Sequence, residues 1–441
     1  MPSDAVCKSL LCSSIQKQRL RKIKMRFIQY SISEEIKRSL AESGFVKPTD
    51  IQFKAIPSIM KGEDVLAIAQ TGTGKTAAFA IPIVNRMHDT LIPLPKGGVR
   101  CLVMVPTREL AVQITDVFRS LAKYTPVKVL SMFGGVNETH QIEQLNNGVE
   151  VLITTPGRMF DLRSRGFIDL SEVEILVLDE ADHMLALGII RDIRDTIKHL
   201  PKRHQTLFFS ATINEEIKDL AYSIVRNPIR IQVSPKDRVS KNVDHQVAFI
   251  EMDDKRFFLE RMIKEHEGSK ILVFVRTKVR AERVFSAMQR VGVETITMHG
   301  DKEQVDRLSV MEKFRSGTVN VLIATDVSAR GIDISGVNYV VNYDLPDVAE
   351  NYVHRVGRTG RGMEKGIAIS FCAPEEKLIL DEIQTFLGKE IQVLDIEKDA
   401  YRMTLALTEE PGTNWRKLIQ DHNEELANRR TKKPKKAGKK K

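Results

Sequence analysis

The stretch "DVLAIAQTGTGKTAAFAIPIVNRM", Asp64 to Met87, joins an apolar run, a glycine-rich loop and a segment of helical period. Glycines let backbone amides turn inward onto phosphate oxygens, and the helix that follows presents its N-terminus to the same anion. Lys75 can reach the β- and γ-phosphates of a nucleotide, and Thr76 can ligate Mg²⁺. The general pattern begins with glycine, whereas Ala69 occupies that position here. We predict a nucleotide site formed by Ala69, Gln70, Thr71, Gly72, Thr73, Gly74, Lys75 and Thr76.

A second apolar run, Ile175–Leu178, is followed directly by the acidic residues of "DEAD". Carboxylates after a buried strand also occur at ordinary helix starts, where the helix dipole favours them. The glycine-rich loop changes this interpretation, because a nucleotide site needs one carboxylate for its metal and another for the attacking water. Mg²⁺ prefers oxygen ligands and retains waters. We therefore predict Asp179 as a metal ligand, partly through water, and Glu180 as the general base.

Short apolar, β-branched runs recur in both halves of the chain, each followed by a polar or glycine-rich loop and a segment of helical period. This repetition predicts βα units and a parallel sheet in each half, hence an α/β fold with two tandem domains. The predicted domains are residues 27–227 and 244–395, joined by a linker at 228–243. Extensions at 1–26 and 396–441 flank them.

The net charge of +10 is concentrated at the two ends of the chain. Residues 1–26 carry seven Lys/Arg against one acid, and residues 426–441 carry nine Lys/Arg and no acid, so the body is acidic. Basic ends indicate a polyanionic partner and are expected to be disordered. The first segment loosely resembles a targeting peptide, and Met25 is an alternative start. The cysteines form no CxxC pair, which indicates a reducing compartment and no zinc site, and no apolar run predicts a membrane span.

With both motifs in place, the chain resembles the DEAD-box ATP-dependent RNA helicases over about residues 27–375, with the DEAD at Asp179 to Asp182. It is especially similar to compact bacterial members with a short basic tail. The resemblance implies two RecA-like domains facing each other across a cleft, ATP and Mg²⁺ as cofactors, and RNA as the partner. It also implies a monomeric core in the cytoplasm, with ribosomal or ribonucleoprotein particles as candidate targets and no membrane partner.

The resemblance assigns several residues to ATP. In "GFVKPTDIQ" the amide of Gln52 would pair with adenine, which offers a donor and an acceptor, while Phe27 would stack on the base. Asp50 stands where the family often has proline. In the second half Asp333 would reach the ribose. Arg358 and Arg361, in "HRVGRTGR", would stabilise charge on the γ-phosphoryl group, although arginines at this spacing also form surface salt-bridge ladders.

The resemblance assigns the remaining motifs to coupling and to RNA. The residues implied in coupling ATP to RNA are Asp182, Ser210, Thr212, His354 and Arg355. The residues implied in contacts with the RNA backbone are Pro106, Thr107, Arg108, Gly134, Gly135, Thr155, Pro156, Gly157, Arg158, Arg276, Gln304, Arg307 and Thr325. Each such motif alone is a weak signal, because a helix cap has the same composition.

The expected function is ATP-dependent RNA binding, local strand separation and remodelling of RNA or ribonucleoprotein. A DNA-directed motor is an alternative, because paired RecA-like domains serve many nucleic-acid ATPases. A second alternative is an ATP-dependent RNA clamp that nucleates an assembly and turns over slowly. His183, where the family commonly has arginine, is not expected to be catalytic.

Overall fold

The computed structural model describes residues 25–70, 72–135, 138–233, 242–329, 336–360 and 365–409. The chain divides into two compact units, and the main division falls between the two predicted domains. Each unit is built around a parallel sheet, so the predicted α/β fold with two parallel-sheet domains is confirmed. The predicted disorder of the basic ends concerns residues 1–24 and 410–441, which lie outside the described residues.

The first unit contains a seven-stranded sheet in the order β3-β4-β2-β5-β6-β1-β7. All its strand pairs are parallel. The strands are β1 (Val65–Ala69), β2 (Val99–Met104), β3 (Val129–Met132), β4 (Val149–Thr154), β5 (Ile175–Leu178), β6 (Gln205–Ser210) and β7 (Ile229–Val233). Every residue of β1, β2, β4, β5 and β6 is buried, as expected for a sheet covered by helices on both faces.

Helices return the chain between the strands of this sheet. They are Glu34–Glu42, Asp50–Met60, Lys75–Asp89, Arg108–Ala122, Glu138–Asn146, Pro156–Ser164, Ala181–Ala186, Ile190–Ile197 and Glu215–Ile224. A short 3₁₀ helix, Phe27–Gln29, precedes them. Apolar side chains from the helices and from the two sheet faces form two core clusters.

The second unit repeats this architecture with the strand order β10-β11-β9-β12-β13-β8-β14, again all parallel. Its strands are β8 (Val243–Phe249), β9 (Ile271–Val275), β10 (Ile296–Met298), β11 (Val321–Thr325), β12 (Tyr339–Asn342), β13 (Gly366–Cys372) and β14 (Gln392–Val393). Its helices are Lys255–Glu265, Lys278–Arg290, Gln304–Ser316, Asp326–Ala329, Ala349–Val356, Lys377–Leu387 and Lys398–Glu409. Across the described residues, no helix is long and apolar enough to cross a bilayer.

The structure differs from the predicted domain boundaries in two places. Residues 228–243 were predicted as a linker, but Ile229–Val233 pairs with β1 as an edge strand of the first sheet. Only one of its five residues is buried, so it lacks the continuous apolar run of an interior strand. Helix Lys398–Glu409 belongs to the second unit, because the Tyr401 ring lies 4.8 Å from that of Phe258.

His245 on β8 is a buried titratable group in the second unit. It is 7% exposed, and its Nδ1 lies 3.0 Å from the hydroxyl of Tyr352, whereas Nε2 has no partner among the described residues. Burial lowers the pKa of His245 from 6.5 to about 4, and the positive charge of Lys389 adds to this effect. The folded protein therefore resists protonation of this ring more strongly than the unfolded chain does.

This difference predicts acid sensitivity of the second unit. The contribution of neutral His245 is complete above pH 6.5 and is lost as the pH falls from 6.5 towards 4, because the unfolded chain then binds more protons. We expect His245→Asn to reduce the acid-induced loss of unfolding free energy in this window by up to about 3 kcal/mol. Thermal unfolding followed over this pH range measures the loss of unfolding free energy, and the exposed position His140→Asn is the control. An equal pH slope in wild type and His245→Asn would refute the prediction.

Candidate nucleotide and RNA sites

The carboxyl ends of the first unit's strands carry two groups of predicted motifs, and the strand order separates the groups. The neighbouring strands β5, β6 and β1 end at the DEAD segment, at "SAT" (residues 210–212) and at the glycine-rich loop. The neighbouring strands β3, β4 and β2 end at Gly134–Gly135, Thr155–Arg158 and Pro106–Arg108. Ligands of open parallel sheets bind beyond these strand ends. At the carboxyl ends of its strands, the sheet thus presents the motifs predicted to bind ATP beside the motifs predicted to bind RNA.

The glycine-rich loop has the backbone that phosphate binding requires. Gly72 and Gly74 adopt left-handed conformations, with φ of 76° and 88°, which residues with a Cβ rarely adopt. The hydroxyl of Thr73 donates to the carbonyl of Gln70 at 2.7 Å and so braces the loop. Thr71 lies outside the described residues.

Lys75 supplies the positive charge of the loop. It begins helix Lys75–Asp89, is 7% exposed, and its Nζ has no hydrogen-bond partner among the described residues. Buried polar groups are nearly always paired, so an unpaired ammonium here fits a site built for an anion. Ala69 ends β1 and Thr76 follows Lys75, as the sequence predicts.

Gln52 has a structural role that the sequence analysis missed. It is 1% exposed, its Oε1 accepts from the Thr49 amide at 2.9 Å, and its Nε2 donates to the Gly74 carbonyl at 3.1 Å. Gln52 therefore ties helix Asp50–Met60 to the glycine-rich loop. Oε1 can accept one further hydrogen bond and Nε2 can donate one more. Pairing with adenine stays a prediction.

Phe27 is a buried residue of the first unit. It is 3% exposed, and its ring packs 5.9 Å from Tyr30 and 6.0 Å from Phe45, measured between centroids. The described contacts of Phe27 are thus with its own domain, and stacking on a base stays a prediction.

Asp179 is a carboxylate held out of water. It is 3% exposed, and its Oδ1 accepts from the Glu180 amide at 3.0 Å. Burial raises the pKa of Asp179 from 3.8 to about 6, the charge of Lys75 opposes the rise, and that of Glu180 adds to it. Ionised Asp179 lacks full charge compensation from the protein alone, so the oxygen donors Asp179 and Thr76 fit Mg²⁺ beside a nucleotide.

Glu180 has a strained backbone. Its φ of 53° and ψ of 48° are left-handed, and among the described residues Asn227 is the one other non-glycine residue with positive φ. Such strain is concentrated at functional sites and costs on the order of 1–3 kcal/mol. His183, 3% exposed, places its Nδ1 3.6 Å from a carboxylate oxygen of Glu180. The ring of His183 therefore packs beside the predicted base.

Asp182 connects the DEAD segment to the end of β6. Its Oδ2 accepts from the Ala211 amide at 3.2 Å, the Thr212 amide at 3.1 Å and the Thr212 hydroxyl at 3.0 Å. The hydroxyl of Ser210 donates to the Thr212 carbonyl at 2.7 Å. The structure thus brings together the three coupling residues predicted in the first domain.

The predicted RNA residues of the first unit fall into two structural situations. The Arg108 guanidinium lies against Gly134–Gly135, since a Cβ built on Gly135 would sit 2.5 Å from its Nη1. The hydroxyl of Thr107 caps helix Arg108–Ala122 by accepting from the Leu110 amide. Arg158, in contrast, pairs with Glu138 and Asp161, so a phosphate would have to compete with these carboxylates.

In the second unit, Arg355 is a fully paired core residue. It is 1% exposed and contacts both carboxylate oxygens of Asp326, at 2.5 and 2.7 Å, the Asn342 side chain and the Asp344 carbonyl. It therefore joins helix Ala349–Val356 to the ends of β11 and β12.

The predicted arginine fingers belong to the segment that follows this helix. Arg358 is 4% exposed, and its Nε donates to the His354 carbonyl. Arg361 and Asp333 lie outside the described residues, so their roles stay predictions.

Arg276 is positioned by a buried carboxylate that the sequence analysis missed. Glu376, 2% exposed, accepts from Arg276 at 3.2 Å and from the Lys255 ammonium at 2.5 Å. Asp347 pairs with the other side of the same guanidinium. Glu376 stands in the ordinary-looking run "APEEK", which gives no signal of this role.

The remaining predicted RNA residues lie at a strand end or a helix start. Thr325 ends β11 of the second unit, and its hydroxyl donates to that of Ser328 at 3.3 Å. Gln304 begins helix Gln304–Ser316, and Arg307 lies within its first turn. Residues 303–308 at this helix start group with the first unit.

Comparison with known proteins identifies the family. A family model described as "DEAD/DEAH box helicase" matches residues 49–220, and one described as "Helicase conserved C-terminal domain" matches residues 254–363. The ATP-dependent RNA helicase RhlB of Shewanella frigidimarina is 40% identical over 379 residues, 85% of this chain and 87% of that protein. RhlB of Shewanella baltica is 39% identical over 381 residues, 85% and 86% of the two chains.

Solved structures agree. S. cerevisiae Dbp5 bound to RNA and ADP BeF3 matches with a TM-score of 0.77 and 30% identity over 87% of this chain and 98% of that one. Two parallel-sheet domains, each matched by a helicase family model, place the chain in the helicase class. The chain belongs to the DEAD-box family of ATP-dependent RNA helicases.

The raised pKa of Asp179 predicts that its charge destabilises the nucleotide-free protein. Ionisation is harder in the folded than in the unfolded state, so this cost is absent below about pH 4 and complete above about pH 6. We expect Asp179→Asn to raise the unfolding free energy of the first unit at neutral pH by up to about 3 kcal/mol, with no gain near pH 4.

Thermal unfolding without nucleotide or Mg²⁺ at both pH values measures this effect. The exposed Asp219→Asn is the matched control. A neutral-pH melting temperature at or below that of wild type for Asp179→Asn would contradict the prediction.

Proposed function

We propose that this protein couples ATP hydrolysis to RNA binding, local strand separation and remodelling of RNA or ribonucleoprotein. The observation that supports this most directly is the junction of β5, β6 and β1. There the unpaired Lys75 ammonium, the carboxylates of Asp179 and Glu180, and the Asp182–Thr212 hydrogen bonds share one sheet edge. The carboxyl ends of these strands carry both the proposed hydrolytic pair, Asp179 and Glu180, and the hydrogen bonds that join Asp182 to residues 211–212.

In the proposed mechanism, amides of the glycine-rich loop and Lys75 hold the β- and γ-phosphates of ATP. Thr76 and Asp179 would hold Mg²⁺, which neutralises charge on the phosphates when bound. Glu180 orients the attacking water and takes its proton. Glu180 lies just after the end of a buried strand and is 9% exposed, so burial limits the freedom of its carboxylate to move away from the water.

Asp182 carries the proposed coupling. A change at the γ-phosphate alters the DEAD segment, and three hydrogen bonds transmit the displacement to residues 211–212. By resemblance, Arg358 and Arg361 of the second domain stabilise charge on the γ-phosphoryl group, while His354 and Arg355 take part in the coupling. Hydrolysis then requires both domains, which makes it depend on RNA.

The proposed RNA site binds the backbone and does not read base sequence. Backbone amides, Thr107 and the Arg108 guanidinium beside Gly134–Gly135 suit phosphate oxygens, which position a strand without specifying it. Contacts to 2′-hydroxyl groups would distinguish RNA from DNA. The Lys-rich residues 426–441 would add salt-sensitive attraction to structured RNA.

Replacing the proposed base tests the hydrolytic assignment. We expect Glu180→Gln to lower RNA-stimulated ATP turnover by about a hundredfold or more, because the amide cannot accept the proton of the attacking water. RNA binding in the presence of ATP should persist. Steady-state phosphate release and RNA binding by fluorescence anisotropy measure the two effects.

The matched control is Glu172→Gln, an exposed position before β5 at the opposite edge of the sheet. It should leave both quantities unchanged. Undiminished hydrolysis by Glu180→Gln would exclude Glu180 as the base.

Removing one coupling hydrogen bond tests the helicase assignment and separates it from the RNA-clamp alternative. We expect Thr212→Val, which loses the 3.0 Å bond to Asp182, to retain RNA-stimulated ATPase within about threefold while separating a short duplex about tenfold more slowly. Ser223→Ala, which loses one part-buried hydroxyl–backbone bond in the same unit, is the control.

Duplex separation under turnover conditions is the measurement. A wild-type protein that hydrolyses ATP and holds RNA, but separates no short duplex, would favour the clamp. Equal losses of ATPase and strand separation in Thr212→Val would contradict the coupling role.

A further inference from the structure

The second unit contains a large basic cavity, and none of its lining residues is among those assigned above to ATP, coupling or RNA. Its volume is about 1070 Å³, and it lies along helix Lys278–Arg290. Arg280, Arg283 and Arg290 recur on one face of this helix and line the cavity together with Arg256. At 1.5 Å per residue, the three helical arginines extend over about 15 Å, a distance that several nucleotides of an extended strand would cover.

The charges around this cavity leave a positive excess. Of its lining carboxylates, Asp301 pairs with Lys278 at 2.7 Å and Glu282 accepts from His299 at 2.7 Å. Asp253 is the third lining acid. Within the described part of the chain, the three arginines Arg256, Arg283 and Arg290 form no ion pair. Nε of Arg290 donates to the Ser286 carbonyl, and the Arg256 guanidinium lies over the Phe257 ring. These contacts leave the positive charge without a carboxylate partner, so it is available to an anion.

Two buried nitrogen atoms of lining residues have no partner. They are Nε of Arg280 and Nδ1 of His299, and His299 is 7% exposed. A buried unsatisfied polar atom in a native protein calls for an explanation, and a bound polar ligand is one. Nε of Arg280 is a donor and adds to the positive excess, whereas Nδ1 of a neutral His299 that donates through Nε2 to Glu282 is an acceptor. The positive excess and the unused donor of Arg280 indicate an anionic ligand.

The position of the cavity identifies the ligand class. Lys278 lies two residues after the predicted RNA residue Arg276, at the end of the loop that follows β9. Asp301 follows His299–Gly300 in the loop after β10, three residues before the predicted RNA residue Gln304. Both loops therefore adjoin predicted RNA residues. An RNA strand that leaves those loops on this side passes directly onto the arginine-bearing face of the helix.

We propose that this cavity extends the RNA site and binds backbone phosphates of the single strand that flanks the core-bound segment. Arginine suits this role, because its planar fork matches phosphate oxygens and stays charged at any physiological pH. The inference rests on the proposed function, since it assumes that the adjoining loops bind RNA. It adds one expectation to the proposed function: the affinity for single-stranded RNA should rise as the RNA is lengthened beyond the segment that the assigned motifs bind.

A double variant, Arg283→Glu/Arg290→Glu, tests the proposal in the full chain. Single-stranded RNAs, extended stepwise from the shortest oligomer that stimulates the ATPase, are titrated with a non-hydrolysable ATP analogue present. Wild type should gain affinity as the RNA is lengthened at one end. The variant should lose that gain, about tenfold, and keep its affinity for the shortest oligomer within about twofold. Its salt slope on extended RNA should fall by about 0.7 for each phosphate contact removed.

The charge-matched control is Lys313→Glu/Arg315→Glu, in the last turn of helix Gln304–Ser316. The Arg315 carbonyl accepts from Lys270, which precedes β9, so this position lies at the opposite edge of the sheet from Arg276. The control should behave as wild type on every RNA. If it weakens extended RNA as much as the double variant does, net charge alone explains the effect and the proposal fails.

Two further outcomes would overturn the proposal. Equal affinity of wild type and double variant for extended RNA would show that the cavity does not hold the strand. Polyglutamate that binds wild type but not the double variant, with no gain in RNA affinity as the RNA is lengthened, would assign the cavity to an acidic peptide. Failure of the proposed function looks different, because no RNA of any length would then stimulate wild-type ATPase. The variant Arg283→Gln/Arg290→Gln, which removes the positive charges without adding acids, is measured in parallel. It should lose about the same length-dependent gain in RNA affinity, which separates the lost contacts from folding effects of the added acids.

Discussion

Parallel strand pairing is the constraint on which both domains depend. Each strand in the described sheets runs in the same direction as its neighbours, so every crossover must return to the opposite edge before the next strand begins. All strand-to-helix loops of a domain therefore converge at one edge. The strand order then decides which loops become neighbours, and β5-β6-β1 places the DEAD, SAT and glycine-rich segments side by side although they are far apart in sequence.

Buried charges are paired at the amino ends of the first sheet's strands but are incompletely paired at the carboxyl ends. Arg100, at the amino end of β2, is 1% exposed and fully bonded to Glu174 and to the backbone and hydroxyl of Thr90. At the carboxyl edge Lys75 is buried without a hydrogen-bond partner, and Asp179 carries a raised pKa. The contrast follows from function, because a site for a charged nucleotide must leave some interactions unmade until the nucleotide arrives. The buried charges without full compensation lie where chemistry is expected.

Much of this organisation can be predicted from the sequence because the motifs are short, local and fixed to strand ends. The strand–loop–helix around Lys75 and the acidic end of β5 are such cases. The pairing of Asp182 with Thr212 also follows, once the order of motifs suggests the family. What could not be predicted depends on long-range packing. The run "IRIQV" between two prolines shows no pattern of an interior strand, because β7 is an edge strand with one solvated face.

Other features were missed for the same reason. Glu376 is bonded to Arg276 and Lys255 across about one hundred residues of chain, and no spacing rule connects them. The basic cavity is equally invisible in sequence, since arginines spaced along a helix usually form a solvated face. Its existence depends on how β10, β12 and the residues near Arg256 surround that helix.

The position of Gln52 has a consequence for how this protein can change. The side chain that the family resemblance assigns to the adenine also bonds the carbonyl of Gly74, immediately before Lys75. Under the proposed assignment of Gln52 to adenine, base selection and phosphate binding share one side-chain amide. Any substitution of Gln52 then also removes the bond to the loop before Lys75, so evolution or a designer would change both traits together.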